Sequence, residues 1–343
     1  MINIIYCSNS SEKVPNYWIK AFKKNGSFLI TIIHQWQTRI KPNFIEKVFE
    51  KLKRPIDLTK YNKRIIKKSL ILNADIIFIE KGWYVKPSTL YLIKKKIPKV
   101  KIIYFSNDNM KIFNNVVVNF NKCLNLNLYD QMYLINIESY KGLENSTKSK
   151  IFYIDKSYCT YSHKENFLRK KNIKKTIDIS FIGSYEKERY EIMLFLANKG
   201  LVIEIFGYGW NRVKGHENLK INNFEVLGEK YIQKVLESKI NLGFLRKANF
   251  DTHTSRSIEI FAIGGFMLIE YSKDHERIYG SNSSNILFKD KNELFDKIIS
   301  FLKNYEDALR IKDAIQENIY EKKMSYDDKV RLIYDNYMKS LDY

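Results

Sequence analysis

Arg256 and Glu259, within DTHTSRSIEIFAIGGFMLIE (251–270), set a guanidinium and a carboxylate three residues apart. On a helix this spacing puts both on one face, within about one 5.4 Å turn. Ser255 can cap such a helix and Gly264-Gly265 can end it, which predicts about nine helical residues between them. A cation in the first turn opposes the helix dipole, which favours negative charge there. A nucleotide diphosphate would answer that conflict, meeting free N–H groups, the dipole and a fork able to bind phosphate bidentately. Glu259 could then accept from ribose hydroxyls. The competing reading is a plain Arg–Glu surface pair.

Other residues suit related chemistry. Asp108, in SNDN after an apolar run, is placed as a general base, and it would equally form a turn between two asparagines. Lys81 in EKGW is a second candidate for the same region. In FIGSY (181–185), Gly183 and Ser184 could let backbone approach a phosphate, or could make a tight strand–helix turn. In FGYGW (206–210), Tyr208 and Gly209 end another run and could admit a nucleobase against main chain; Trp210 could stack on it or pack inside. No D-x-D triplet, H-x-x-x-H spacing or close cysteine pair occurs, since Cys7, Cys123 and Cys159 are far apart. No protein-built metal site and no cofactor are expected.

Positioning these groups requires repeated strands and helices. Apolar runs at 2–7, 28–34, 74–80, 101–106, 131–136 and 150–155 alternate with helical patterns such as NYWIKAFKKNG and NFIEKVFEKLK. The lysine-rich stretch 162–176 reads as a linker, and alternation resumes at 177–184, 202–209, 240–245, 266–271 and 285–290. Strands that are apolar throughout and separated by helices imply parallel sheets covered on both faces. The predicted fold is α/β, with two Rossmann-like domains facing each other across a cleft. Residues 1–161 form the first domain, 162–176 the linker and 177–323 the second domain. A last helix in 324–343 is expected to pack back on the first domain.

The chain of 343 residues carries a net charge of +21, distributed unevenly. Residues 1–170 hold 27 Lys and 4 Arg against 12 acids, +19; the remainder is +2, and the two sum to +21. Such asymmetry points to an anionic partner for the first half, with compositional drift as the competing explanation. Basic and aliphatic residues mix in 51–70 and 92–101, as on a surface that meets anionic lipid. Neither a membrane-spanning run nor a secretory leader is found in the sequence, so a cytoplasmic protein, peripheral on the inner membrane face, is expected.

The segment ISFIGSYEKERYEIMLFLANKGLVIEIFGYGW, followed by KINLGFLRKANFDTHTSRSIEIFAIGGFMLIEYSKDHERIYG, resembles the carboxyl-terminal domain of CgeB-like (spore maturation protein) glycosyltransferases, of the GT-B group. The resemblance covers roughly 177–303, and FIEKGWYVKPSTLYLIK and YFSNDN are similar more loosely. It implies a transferase that binds a nucleotide-sugar in its second domain and is metal-independent. At matching positions, Glu259 would hold the ribose, and Arg246 and Arg256 the diphosphate. His253, Thr254 and Ser255 would complete the donor loop with Gly183, Ser184, Tyr208 and Gly209. Asp251 stands where many retaining relatives carry a sugar-contacting Glu, and a loop or cap role is its alternative. The catalytic candidates are thus Asp108 and Asp251. The implied acceptor is a glycan or glycolipid of bacterial surface polysaccharide assembly. The alternatives are a phage-type transferase acting on nucleic acid, for which no groove-reading motif is present, a non-catalytic nucleotide-sugar-binding protein and a sugar-nucleotide epimerase.

Overall fold

A computed structural model describes residues 1–11, 16–36, 42–52, 56–109, 126–143, 147–165 and 173–341. Residues 166–172 of the expected linker, and Cys123, lie outside these. The chain folds as two compact units. The first comprises 1–155, 247–251 and 326–343, and the second 156–246 and 252–325. The second unit starts at Lys156, ahead of the linker expected over 162–176 and the domain expected from 177, and the backbone beyond that point bonds within it. Tyr158 N–H donates to Met324 O at 3.2 Å, and Tyr158 bridges Ser325.

In the first unit, β1 (Ile2–Ser11), β2 (Phe28–Trp36), β3 (Ile76–Glu80), β4 (Lys101–Ser106), β5 (Gln131–Leu134) and β6 (Lys150–Tyr153) form one sheet in the order β2-β1-β3-β4-β5-β6. Every pairing is parallel. Its helices are α1 (Tyr17–Lys24), α2 (Phe44–Lys51), α3 (Tyr61–Ile71), α4 (Pro87–Lys96) and α5 (Ile137–Leu143). Successive strand residues point to opposite faces. Ile5, Cys7, Ile77 and Ile79 therefore join Tyr61, Ile65, Leu90 and Ile93 of α3 and α4 in one core. Ile4, Tyr6, Ile76 and Phe78 join Trp18 and Phe22 of α1 in the other. The last helix, Tyr326–Lys339, closes this second face with Val330, Ile333 and Tyr337. Each such side chain contributes about 1.5–3 kcal/mol by burial.

Two features of this unit qualify the expected lipid-facing clusters. Ile93 and Ile97 of 92–101 are buried, and Lys94 pairs with Asp130 at 3.1 Å. Arg64 of α3 donates to His34 O at 2.9 Å and Gln35 O at 3.2 Å, so its guanidinium ties α3 to the end of β2.

The second unit contains β7 (Ile177–Ile182), α6 (Lys187–Asn198), β8 (Ile203–Phe206), β9 (Leu219–Asn222), α7 (Gly228–Glu237), β10 (Ser238–Gly243), α8 (Ser255–Ile263), β11 (Met267–Glu270), α9 (Lys273–Tyr279), α10 (Ser283–Ile286), β12 (Leu287–Phe288), α11 (Lys291–Lys303) and α12 (Tyr305–Glu321). Its sheet runs β12-β11-β10-β7-β8-β9, again wholly parallel. The edge strand β9 has no counterpart among the expected strands. It is four residues long with only Leu219 buried, so it leaves no apolar run to read.

Strand order sets where ligands belong. In a doubly wound sheet they bind beyond the carboxyl ends of the strands, where the order reverses direction. In the second unit that point lies between β7 and β10, and in the first between β1 and β3.

Candidate functional site

The carboxyl ends of β7 and β10 lie side by side, with Leu242 opposite Phe181. Arg189, in the first turn of α6, spans them: it donates from one terminal nitrogen to Ser184 O at 3.0 Å and from the other to Leu245 O at 3.2 Å. Glu186 pairs with it at 3.2 Å. The neighbouring β11 ends in Glu270, whose carboxylate accepts from Leu245 N–H at 2.9 Å. Neither Arg189 nor Glu270 is among the residues expected from the sequence. For Arg189 the available signal is the one that marks Arg256, a cation in the first turn of a helix. Burial lowers the pKa of Arg189; Glu186 and Glu270 oppose that shift, while Arg246 and Arg256 add to it. The last two arginines are therefore electrostatic neighbours of Arg189, and three cations gather at the switch point.

The helix α8 carries Arg256 as its second residue and ends at Gly264, which adopts φ 92°. Its N-cap is Thr254, one residue before the expected Ser255. The Thr254 hydroxyl accepts from Ser257 N–H, and the Ser257 hydroxyl accepts from Thr254 N–H, each at 3.2 Å. That reciprocal pair requires a spacing of three, which Ser257 supplies to Thr254.

No ion pair joins Arg256 to Glu259 among the described residues. Both instead engage Tyr231 of α7: the guanidinium lies 5.3 Å from its ring centroid, and Glu259 Oε2 accepts from its hydroxyl at 3.4 Å. Glu259 is 8% exposed. Arg256 Nε is buried with no hydrogen-bond partner among the described residues. Tyr231 is a further residue the sequence did not mark. Each charged group thus meets Tyr231 rather than the other.

Gly183 O is the floor of the neighbouring turn. Trp210 Nε1–H donates to it at 2.8 Å, and the indole packs edge-on against Phe181 and Tyr185. Trp210 is buried and packs inside. Gly207 comes so close to Gly183 that a Cβ there would stand 2.1 Å from Gly183 O, at a φ of 149°. Only glycine fits that approach. Tyr208 is exposed, and its carbonyl accepts from Tyr185 N–H at 2.9 Å; Gly209 follows at φ 87°. Ser184 and Arg246 are exposed, the latter just beyond β10.

His253 is buried, with Nε2 accepting from Lys156 N–H at 3.0 Å and Nδ1 3.6 Å from Asp274. Asp274 also accepts from the Thr252 hydroxyl. His253 thus anchors the loop that enters α8. Beside it, His275 Nδ1 lies 2.9 Å from Glu270 O, a carbonyl, so Nδ1 carries the proton. Burial chiefly, with repulsion from His253, pulls the His275 pKa down to about 4. An unfolded histidine titrates near about 6.5. The unfolded chain therefore binds the extra proton first, and stability present above about pH 6.5 is lost as pH falls towards 4. Thermal unfolding across this window should show the wild type losing more stability than His275→Gln; parallel curves would refute the assignment.

Asp108 and Asp251 both fall in the first unit. Asp108, after β4, is 3.1 Å from Lys81 Nζ, and its N–H donates to Ser106 Oγ at 3.2 Å. Lys81 follows β3 with a left-handed φ of 62°. The loop 247–251 is fixed to the same strand ends. Asn249 Oδ1 accepts from Asn109 N–H at 3.0 Å, and the carbonyls of Asn249 and Phe250 accept from Asn136. Asp251 accepts from Asn249 Nδ2 at 2.6 Å. At the switch point of this sheet, Glu80 accepts from the Tyr6 hydroxyl at 3.0 Å and Asn16 Nδ2 at 2.8 Å. Glu80 closes an apolar run, so nothing in its neighbourhood marks it as a site residue before the fold is known. Among the described residues, no three His, Cys, Asp or Glu come together to hold an ion, and no helix is long and apolar enough to cross a membrane.

The fold is that of the GT-B glycosyltransferases. Sucrose-phosphate synthase from Thermosynechococcus elongatus is similar over 100% of both chains, at 10% identity and a TM-score of 0.66. A glycosyltransferase from Rickettsia africae is similar over 99% of this chain and 98% of its own, at 15% identity and a TM-score of 0.66. HepE from Anabaena, in complex with UDP-glucose, is similar over 100% of both chains, at 10% identity and a TM-score of 0.60. No curated protein matches in sequence. Residues 189–335, from the arginine that spans the switch point to the last helix, match the family described as glycosyl transferase-like.

Proposed function

We propose that the protein is a glycosyltransferase that takes a sugar from a nucleotide-diphosphate donor bound by the second unit. The carrying observation is Arg256: a guanidinium at a helix N-terminus beside a switch point, with a buried Nε that no group among the described residues satisfies. Glu259 would accept from the ribose, and Arg246 with Arg256 would take the diphosphate. Ser255 and the first amides of α8 would complete the phosphate site. Gly183, Ser184, Tyr208 and Gly209 would border the nucleotide, with His253 and Thr254 shaping the loop. HepE structures holding UDP-glucose, UDP, and UDP with glucose support this donor class.

As the sugar–phosphate bond breaks, charge develops on the diphosphate. Fixed cations and amides stabilise it without reorganising. The acceptor hydroxyl gives up its proton to a carboxylate of the first unit, with Asp108 as the proposed base and Asp251 as a sugar contact. The finer resemblance to CgeB-like enzymes, and a glycan or glycolipid acceptor in surface polysaccharide assembly at an anionic membrane, belong to the same proposal. Thermal shift against a panel of nucleotide sugars tests it directly: stabilisation by none of them would refute the reading. If arginines and helix amides alone stabilise the leaving group, EDTA should leave most turnover intact. Loss restored by Mg²⁺ or Mn²⁺ would show that a metal shares this work.

A further inference from the structure

Helix α2 is amphipathic in the wrong sense for a helix on a protein surface. At about 100° per residue, Phe44, Ile45, Val48 and Leu52 share an arc of about 100°. All four are exposed, Phe44 at 81%, Leu52 at 62% and Ile45 at 53%. Leu52 belongs to the same turn, its N–H donating to Val48 O at 3.0 Å. Glu46, on the opposite side, is only 1% exposed and exchanges bonds with Asn43 at 2.8 and 3.0 Å. Lys47, also exposed, flanks the apolar arc. A surface helix ordinarily buries its apolar stripe and solvates its charges. Here the carboxylate, tied to the cap residue Asn43, is buried, and phenylalanine, isoleucine, valine and leucine are exposed.

We propose that the apolar face of α2 is the element that inserts into an anionic lipid surface. Charge decides among occupants: the helix belongs to a half of the chain with net +19, which repels a second copy and attracts acidic headgroups. An interfacial helix buries its apolar side at the headgroup boundary and keeps basic residues beside it. The inference rests on the lipid-facing reading of the basic half and makes it specific. The aliphatic residues of 92–101 are largely core, whereas those of α2 are free to insert.

The test is flotation with vesicles of mixed phosphatidylglycerol and phosphatidylcholine, and with pure phosphatidylcholine, at low and high salt. Wild type should bind the anionic vesicles at low salt. The triple variant Phe44→Ser, Ile45→Ser, Leu52→Ser should bind roughly tenfold less or weaker still, with unchanged nucleotide-sugar affinity and unfolding temperature. Phe44→Ser alone, at the most exposed position, gives the same reading if the triple variant folds poorly. Equal binding by wild type and variants removes α2 as the element while sparing the lipid reading. Absence of wild-type binding removes both. Dimers in light scattering that the triple variant dissolves would identify a second copy as the occupant and overturn the proposal.

Discussion

Replacing Arg256 with alanine is expected to lower kcat/KM for the nucleotide-sugar by about 10²–10³-fold, equivalent to about 2.7–4 kcal/mol, the scale for losing one preorganised donor to a developing oxyanion. The size follows from its setting. Arg256 holds no carboxylate among the described residues, so its charge is not spent inside the protein, and its Nε is buried unsatisfied. Removing it breaks no ion pair among the described residues, and the fold should keep its stability. Arg256→Lys should recover only part of the activity, because an ammonium keeps the charge and loses the bidentate fork. Steady-state kinetics beside thermal unfolding separates the outcomes. Activity within a few-fold of wild type would remove Arg256 from the donor site. Loss of activity with loss of folding would make it structural.

Glu259→Gln should weaken donor binding by about 1–3 kcal/mol, the range for a hydrogen bond to a charged group. The substitution keeps the shape and an acceptor oxygen, so the contact with Tyr231 can survive while the charge that strengthens a ribose contact is lost. Calorimetry with the nucleotide-sugar and with its nucleotide measures this. The two should weaken equally, since the ribose is common to both. Unchanged affinity would sink the ribose assignment. A Glu259 effect confined to the sugar-bearing ligand would move this carboxylate towards the transferred group.

The chain order of apolar runs and helical periods determined much of this protein before any tertiary contact. Alternating strands and helices, apolar on both faces, admit only parallel sheets, and both units have them. Local chemistry also set the ends of α8, since a hydroxyl three residues from its partner and a glycine with left-handed φ are neighbour effects; the cap falls on Thr254 because Ser257 is its partner. The cation in the first turn was legible for the same reason. What tertiary structure alone decided is which distant groups meet. Arg189 and Leu245 are 56 residues apart and join only because β7 and β10 are adjacent. Arg256 and Glu259 both meet Tyr231 of α7, whereas spacing by itself would pair them with each other. Loop 247–251 leaves β10 to bond within the first unit, taking Asp251 with it. Periodicity marks α2 as amphipathic, but only the fold shows that its apolar arc faces outward. Periodicity reports that a face exists; which way it points depends on what the rest of the chain offers to cover it.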